Sequence, residues 1–214
     1  MIVNERIVAY INSLDRGNSP ICNTIEKEAI EDDVPIIRKE MGNLLKVLLE
    51  LKQPQSILEV GTAVGYSSIL MSENMPQNCR ITTIENYEKR IPVAKNNFKR
   101  ARKEEVITLL EGDAMDILKE LDGTYDFIFM DAAKGQYINF LPELLRLMPA
   151  GGLLISDNVL QEGDIVESRY GVTRRNRTIH TRMREYIYTL THAEQLETSI
   201  VPIGDGITLS VKKG

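Results

Sequence analysis

Two apolar runs in this sequence end abruptly on acids. FIFMDAAKGQY, from Phe127 to Tyr137, closes an apolar run on Asp131 and places Lys134 shortly after it. LLISDNV repeats the arrangement, closing on Asp157 and Asn158. Adjacent parallel strands lie about 4.8 Å apart. Strands ending at Asp131 and Asp157 would therefore bring two carboxylates to one rim, with an amide oxygen beside them. Such a set is hard and oxygen-only, suited to Mg²⁺, Mn²⁺ or Ca²⁺ and not to zinc. His180, His192, Cys22 and Cys79 are the only histidines and cysteines, which nearly excludes a His/Cys zinc site or a disulfide framework. The competing reading makes Asp157-Asn158 a polar turn and Lys134 a solvated residue at a helix start.

A second set of groups precedes these. LEVGTAVGYSS follows a strand-like run and puts Gly61 and Gly65 in the turn after it. The spacing is not G-x-G-x-x-G, which disfavours a dinucleotide dehydrogenase, yet glycines there let a ligand approach the turn closely. The next strand-like run ends in Glu85, where an acid holds a ribose in such folds, and a third is followed by EGDAMD, with Asp113 at the same rim. Each has a plainer account: glycines shaping a tight turn, Glu59 paired with a surface lysine, Glu85 a solvated strand end, Asp113 the cap of a helix from Ala114. Their succession after three consecutive strands favours one ligand site at the carboxyl ends of a sheet.

The elements needed to position these groups are visible. Strand-like runs at Ser56–Val60, Arg80–Glu85, Val106–Gly112, Tyr125–Asp131 and Gly152–Asn158 alternate with helical segments such as YEKRIPVAKNNFKRAR and INFLPELLRLM. That alternation predicts βαβ units and a parallel sheet covered on both faces. LETSIVPIGDGITLSVKK breaks the rhythm: two strand-like runs around Gly204-Asp205-Gly206 predict an antiparallel hairpin at the sheet edge. Ile36, Ile37, Met41, Leu44, Leu45 and Leu48, with Pro35 near the start, predict an N-terminal helix. The 214 residues read as one domain, with a helical region over 1–53 and an α/β core over 54–214. With no apolar stretch long enough to span a bilayer and no secretory leader, a cytoplasmic protein is expected. The net charge of −5 argues against general nucleic-acid binding but leaves room for a local basic patch.

Taken together, LEVGTAVGYSS, TTIEN, EGDA, FIFMDAAKGQY, LLISDNVL and GDGI resemble a class I S-adenosylmethionine methyltransferase. The chain is most similar to the metal-dependent O-methyltransferases that include catechol and caffeoyl-CoA enzymes, and among them to the bacterial tRNA 5-hydroxyuridine methyltransferases. The resemblance implies a Rossmann-like, doubly wound seven-stranded sheet, mostly parallel with an antiparallel C-terminal strand, and a homodimer. It implies that Glu59, Gly61, Thr62, Gly65, Tyr66 and Ser67 surround the methionine part of the cofactor, with Met41 at its sulfur end and Asp131 near it. Glu85 would take the ribose, and Asp113 with Ala114 the adenine. Asp131, Asp157 and Asn158 would hold the metal, and two neighbouring substrate oxygens plus a water would complete an octahedron. The cofactor's sulfonium methyl is already electrophilic; what neutral pH lacks is an oxygen nucleophile, since a phenol-like hydroxyl keeps its proton to about pH 10. A lysine beside a cation can serve as general base, so Lys134 would accept the proton or orient the hydroxyl.

Both a catechol and 5-hydroxyuridine offer two adjacent oxygens. GVTRRNRTIHTRMREY bears on the choice: Arg174, Arg175, Arg177, Arg182 and Arg184 accompany Ile179, Met183, Ile187 and Leu190 at helical spacing. This predicts an amphipathic helix with an arginine-rich outer side, suited to the phosphates of a tRNA anticodon region. The alternatives are a solvated face paired locally with Glu185 or Glu167, which leaves a small vicinal diol as substrate, and a non-catalytic cofactor-binding protein. The intact metal and lysine positions argue against the last.

Overall fold

The computed structural model describes residues 2–214. Three helices come first, α1 (Glu5–Ser13), α2 (Pro20–Glu31) and α3 (Lys39–Lys52). Then β1 (Ser56–Val60), α4 (Tyr66–Asn74), β2 (Arg80–Glu85), α5 (Ile91–Arg100), β3 (Ile107–Glu111) and α6 (Ala114–Glu120) alternate. They continue through β4 (Phe127–Met130), α7 (Tyr137–Leu147), β5 (Leu153–Ser156) and α8 (Arg177–His192) to the hairpin of β6 (Leu196–Val201) and β7 (Ile207–Lys212).

The sheet has the order β3-β2-β1-β4-β5-β7-β6. The first five strands pair parallel, and β7 runs antiparallel to both β5 and β6. This is the predicted sheet, with β6 at the edge of the predicted hairpin. Successive side chains point to opposite faces. Ile57, Phe127, Phe129 and Ile155 therefore join one buried cluster with Leu45 and Leu49 of α3. Leu58, Val60, Ile128 and Leu154 join another with Leu144 and Met183. No helix among the described residues is long and apolar enough to cross a membrane.

One N-terminal expectation needs correction. The helix expected to begin near Pro35 begins at Lys39, with Arg38 as its N-cap. Proline permits a helix start without compelling one, and it pushes the residue before it toward extended backbone. The chain from Pro35 to Arg38 instead lines the central cleft, where Ile36 and Ile37 form wall and not helix.

Candidate active site

Order reverses between β1 and β4, and such a switch point opens a crevice at the strands' carboxyl ends. A cleft of about 800 Å³ lies there. Gly61 leaves β1 with φ of 104°, and its backbone hydrogen-bonds to the Ile84 carbonyl. A Cβ on it would come within 2.1 Å of the Asp131 carbonyl oxygen, so only glycine lets this turn close against the end of β4. Gly65, at φ 83°, is the N-cap of α4 and makes no side-chain cap bond. Thr62, Tyr66 and Ser67 complete this side of the wall, and the Tyr66 hydroxyl accepts from Asn18 Nδ2 at 3.3 Å.

Glu59 is not among the residues that line the cleft, and among the described residues no lysine lies within 4.0 Å of its carboxylate. It is fully buried beneath the glycine turn. Its carboxylate accepts hydroxyls from Ser67, Ser68 and Thr83, the last at 2.6 Å. Burial pushes this carboxyl up to about 7, although the three hydroxyls favour its charged form. The residue therefore ties the first turn of α4 to β1 and β2, and sets Ser67 in the wall.

Glu85 is anchored, not a loose solvated end. One oxygen accepts the Ala63 amide at 2.7 Å, and the other accepts the amides of Asn86 and Tyr87 at 3.0 and 2.9 Å. An ionised carboxylate has about four acceptor sites, so capacity for a ligand hydroxyl remains. Asp113 does cap α6, accepting the Met115 amide at 2.8 Å, and it lines the cleft with Ala114 as well. Met41, buried on α3, faces the same space.

At the other end, β4 and β5 stop one residue short of their acids. The Asp157 amide bonds the Met130 carbonyl at 2.9 Å, and Met130 pairs with Ser156 in the ladder, so Asp131 and Asp157 emerge side by side. Asp157 is 5% exposed, and its carboxylate accepts the Asn158 amide at 2.7 Å. Asn158 sits at φ 58°, a left-handed turn that asparagine tolerates. Burial, and then the charge of Asp131, push Asp157 up to about 7. Asp131 is likewise raised by burial and drawn back by Lys134.

Among the described residues neither acid has a cationic side chain within 4.0 Å. No group of three or more His, Cys, Asp or Glu placed to hold a metal ion occurs among them either, and Asn158, next in the chain to Asp157, also lines the cleft. Two adjacent carboxylates without a direct ion pair, and an asparagine beside them, fit a hard divalent cation. Lys134 opens a short 3₁₀ turn in the wall and lies 3.6 Å from Asp205.

Asp205 is one of the residues that sequence reasoning missed. It is 6% exposed and stands in the hairpin turn, where Gly-Asp-Gly carries only a turn signal. Its carboxylate accepts the Glu162 amide, its own carbonyl accepts the Leu160 amide at 3.0 Å, and so it joins the lysine to the loop after β5. Arg38, Arg90 and Glu162 in the wall were missed too.

The arginines divide. Arg174 and Arg175 are exposed but precede α8 and do not lie on it. Arg177 donates to the Val172 carbonyl at 3.3 Å and lies 5.8 Å from the Tyr170 ring centroid. Arg182 holds the Gly135 carbonyl at 3.0 Å, and Arg184 holds those of Ile165 and Glu167. The helix is amphipathic as expected, but its arginine face is corrected in part: Arg174 and Arg175 lie before it, and Arg182 and Arg184 fasten neighbouring loops to it. The alternative of local pairs with Glu185 or Glu167 is not seen among the described residues.

A family model described as O-methyltransferase matches residues 16–213. A catechol O-methyltransferase from Niastella koreensis is 36% identical over 168 residues, covering 77% of this chain and 70% of that protein. Caffeoyl-CoA O-methyltransferase 2 of Populus trichocarpa is 33% identical over 182 residues, covering 78% and 71%. The solved structure of the O-methyltransferase TomG from Streptomyces achromogenes, involved in tomaymycin synthesis and in complex with SAM, has a TM-score of 0.87 at 25% identity, with 100% of both chains covered. With the family model spanning nearly the whole chain and curated relatives more than 30% identical over most of both lengths, the chain belongs to the S-adenosylmethionine-dependent O-methyltransferases of the catechol and caffeoyl-CoA type.

Proposed function

We propose that this chain methylates a hydroxyl that has a second oxygen beside it, using S-adenosylmethionine and a divalent cation. The observation that carries the reading is the adjacency of Asp131 and Asp157 in one cleft with the glycine turn and Glu85. Asp131, Asp157 and Asn158 would hold Mg²⁺, Mn²⁺ or Ca²⁺. A bound cation supplies stabilisation of negative charge on the hydroxyl oxygen as its proton leaves. The oxygen–methyl bond forms as the sulfur–methyl bond breaks. The chain's task is alignment: Met41, Gly61 and Ser67 seat the methionine part, while Asp113 and Ala114 flank the adenine. Lys134 orients the hydroxyl or accepts its proton. In-line positioning of the two partners supplies much of the remaining rate.

Glu85 would hold the ribose. Glu85→Ala is expected to weaken S-adenosylmethionine binding by about 1.5–3 kcal/mol, roughly 10- to 150-fold, through loss of charge-assisted bonds. Titration calorimetry with unchanged affinity would remove Glu85 from the cofactor site.

The finer proposal is that the substrate is 5-hydroxyuridine at the tRNA wobble position, giving 5-methoxyuridine, in a cytoplasmic homodimer. Support for the RNA substrate is the exposure of Arg174 and Arg175, and of Tyr170 a few residues earlier in the same loop, which is 83% exposed. Arginines suit RNA phosphates, and an exposed ring suits a splayed base. A small catechol is the second reading, favoured by what the relative from Niastella koreensis is called. Methyl-transfer assays on tRNA from a strain lacking this protein, beside a catechol panel, separate the two. If tRNA is the substrate, Arg174→Ala with Arg175→Ala should cut tRNA methylation strongly. Each lost phosphate contact should also flatten the logarithmic salt slope by roughly 0.7–0.9. Turnover of a free catechol is the folding control. Because Arg177 also supports Val172, the double variant is cleaner than a triple one. Parental activity of the double variant on tRNA would move the small-molecule reading ahead.

A further inference from the structure

The cations of the cleft are not equally committed. Lys134 faces Asp205 at 3.6 Å, and the Arg90 guanidinium lies 5.4 Å from the Tyr87 ring centroid. Arg38 is half-buried in the same wall, yet has no carboxylate within 4.0 Å among the described residues. The cleft is nonetheless rich in acids, including Glu85, Asp131, Asp157, Glu162 and Asp205. A guanidinium that pairs with none of them keeps its N–H donors free for a ligand.

Its position says where that charge acts. The Arg38 backbone is fixed, because Ile37 beside it is buried and its carbonyl accepts the Gly42 amide at 2.9 Å in the first turn of α3. Its Cδ lies 3.8 Å from where a Cβ on Gly204 would sit. Gly204 adjoins Asp205, the partner of Lys134. Arg38 thus packs against the hairpin turn, beside the Lys134–Asp205 pair, and Asp205 is in turn close enough to Asp157 to oppose its charge.

We infer that Arg38 forms an anion subsite that takes a phosphate or carboxylate carried by the substrate near its pair of adjacent oxygens. A half-buried guanidinium is weakly hydrated, and its fork matches either group. The inference rests on the methyl-transfer reading but not on the choice between tRNA and a small diol.

The test uses matched diols that differ in charge: 3,4-dihydroxybenzoate against 3,4-dihydroxybenzamide, and 5-hydroxyuridine 5′-monophosphate against its nucleoside. Arg38→Ala should raise KM for the charged member of a pair by about 10- to 100-fold. It should leave kcat and the neutral member within about twofold, and Arg38→Lys should restore part of the loss. The pair with the larger effect identifies phosphate or carboxylate as the preferred group. Calorimetric binding of the same diols in the presence of S-adenosylhomocysteine and Mg²⁺ gives the comparison without turnover. Equal losses on charged and neutral members would overturn the inference. So would a fall in S-adenosylmethionine affinity, which would put the guanidinium on the cofactor's own carboxylate. Absence of transfer to every diol would sink the methyl-transfer reading instead, and the binding arm would still decide Arg38.

Discussion

Asp157→Ala is expected to abolish methyl transfer while leaving the protein folded. The side chain is buried beside Asp131, and burial and that neighbour both oppose its charge. Without a cation the pair is a site of repulsion, so truncating one member relieves it. The loss of the hydrogen bond from the Asn158 amide, 2.7 Å long, costs about 1 kcal/mol and roughly offsets that relief. The thermal midpoint of the cation-free variant should therefore stay close to the parent's. Added Mg²⁺ should tell the two apart. Saturation at 100 times Kd stabilises the parent by about 2.7 kcal/mol, and the variant should show none of this. Withdrawal of about 4 kcal/mol of charge stabilisation corresponds to a roughly thousandfold loss of rate. Excess chelator should reproduce the loss in the parent, with recovery on adding Mg²⁺. Full activity in chelator, or Mg²⁺ stabilisation that survives Asp157→Ala, would overturn the metal assignment.

The paired acids were legible in sequence because strand-end residues follow from local pattern. An apolar run that stops on an acid places that acid at the rim, whichever strand lies next to it. The same local logic exposed the hairpin and the glycine turn. What escaped depends on distant partners. Glu59 was expected beside the cofactor or, on the plainer reading, at the surface, yet its donors come from Ser67 and from Thr83, 24 residues on, and together they make a buried carboxylate tolerable. Arg182 looked like part of an outer face, but it closes on a carbonyl 47 residues earlier in the chain. A helical wheel marks which side a residue occupies and not which loop arrives there. Asp205 was hidden by its own turn chemistry: Gly-Asp-Gly satisfies a hairpin, and nothing local says that the aspartate will meet Lys134. Arg38 was hidden by an assumed helix start, since only the extended link from Pro35 brings it to the cleft wall.

Lys134→Met is expected to lower kcat by about 10²- to 10⁴-fold while S-adenosylmethionine affinity, followed by calorimetry, stays unchanged. The lysine is well placed for work on the substrate. Its 3₁₀ turn is fastened by the bond from Arg182 to the Gly135 carbonyl and by the Gln136 amide on the Ala133 carbonyl. Its ammonium faces Asp205 at 3.6 Å, so one contact leaves other donors free toward the cleft. Two roles remain, and substitution separates them. Lys134→Arg keeps the positive charge and a partner for Asp205, but arginine does not give up its proton. If Lys134 only orients the hydroxyl, arginine should recover much of the activity. If it accepts the proton, arginine should fail as methionine does. The acidity of the substrate gives an independent reading. A nitro-substituted catechol has already lost a proton near neutral pH, so a base is no longer needed, and the penalty of Lys134→Met should shrink toward tenfold. An orienting lysine would show the same penalty on acidic and ordinary diols. A methionine variant within threefold of the parent on an unactivated diol would remove Lys134 from the chemistry altogether.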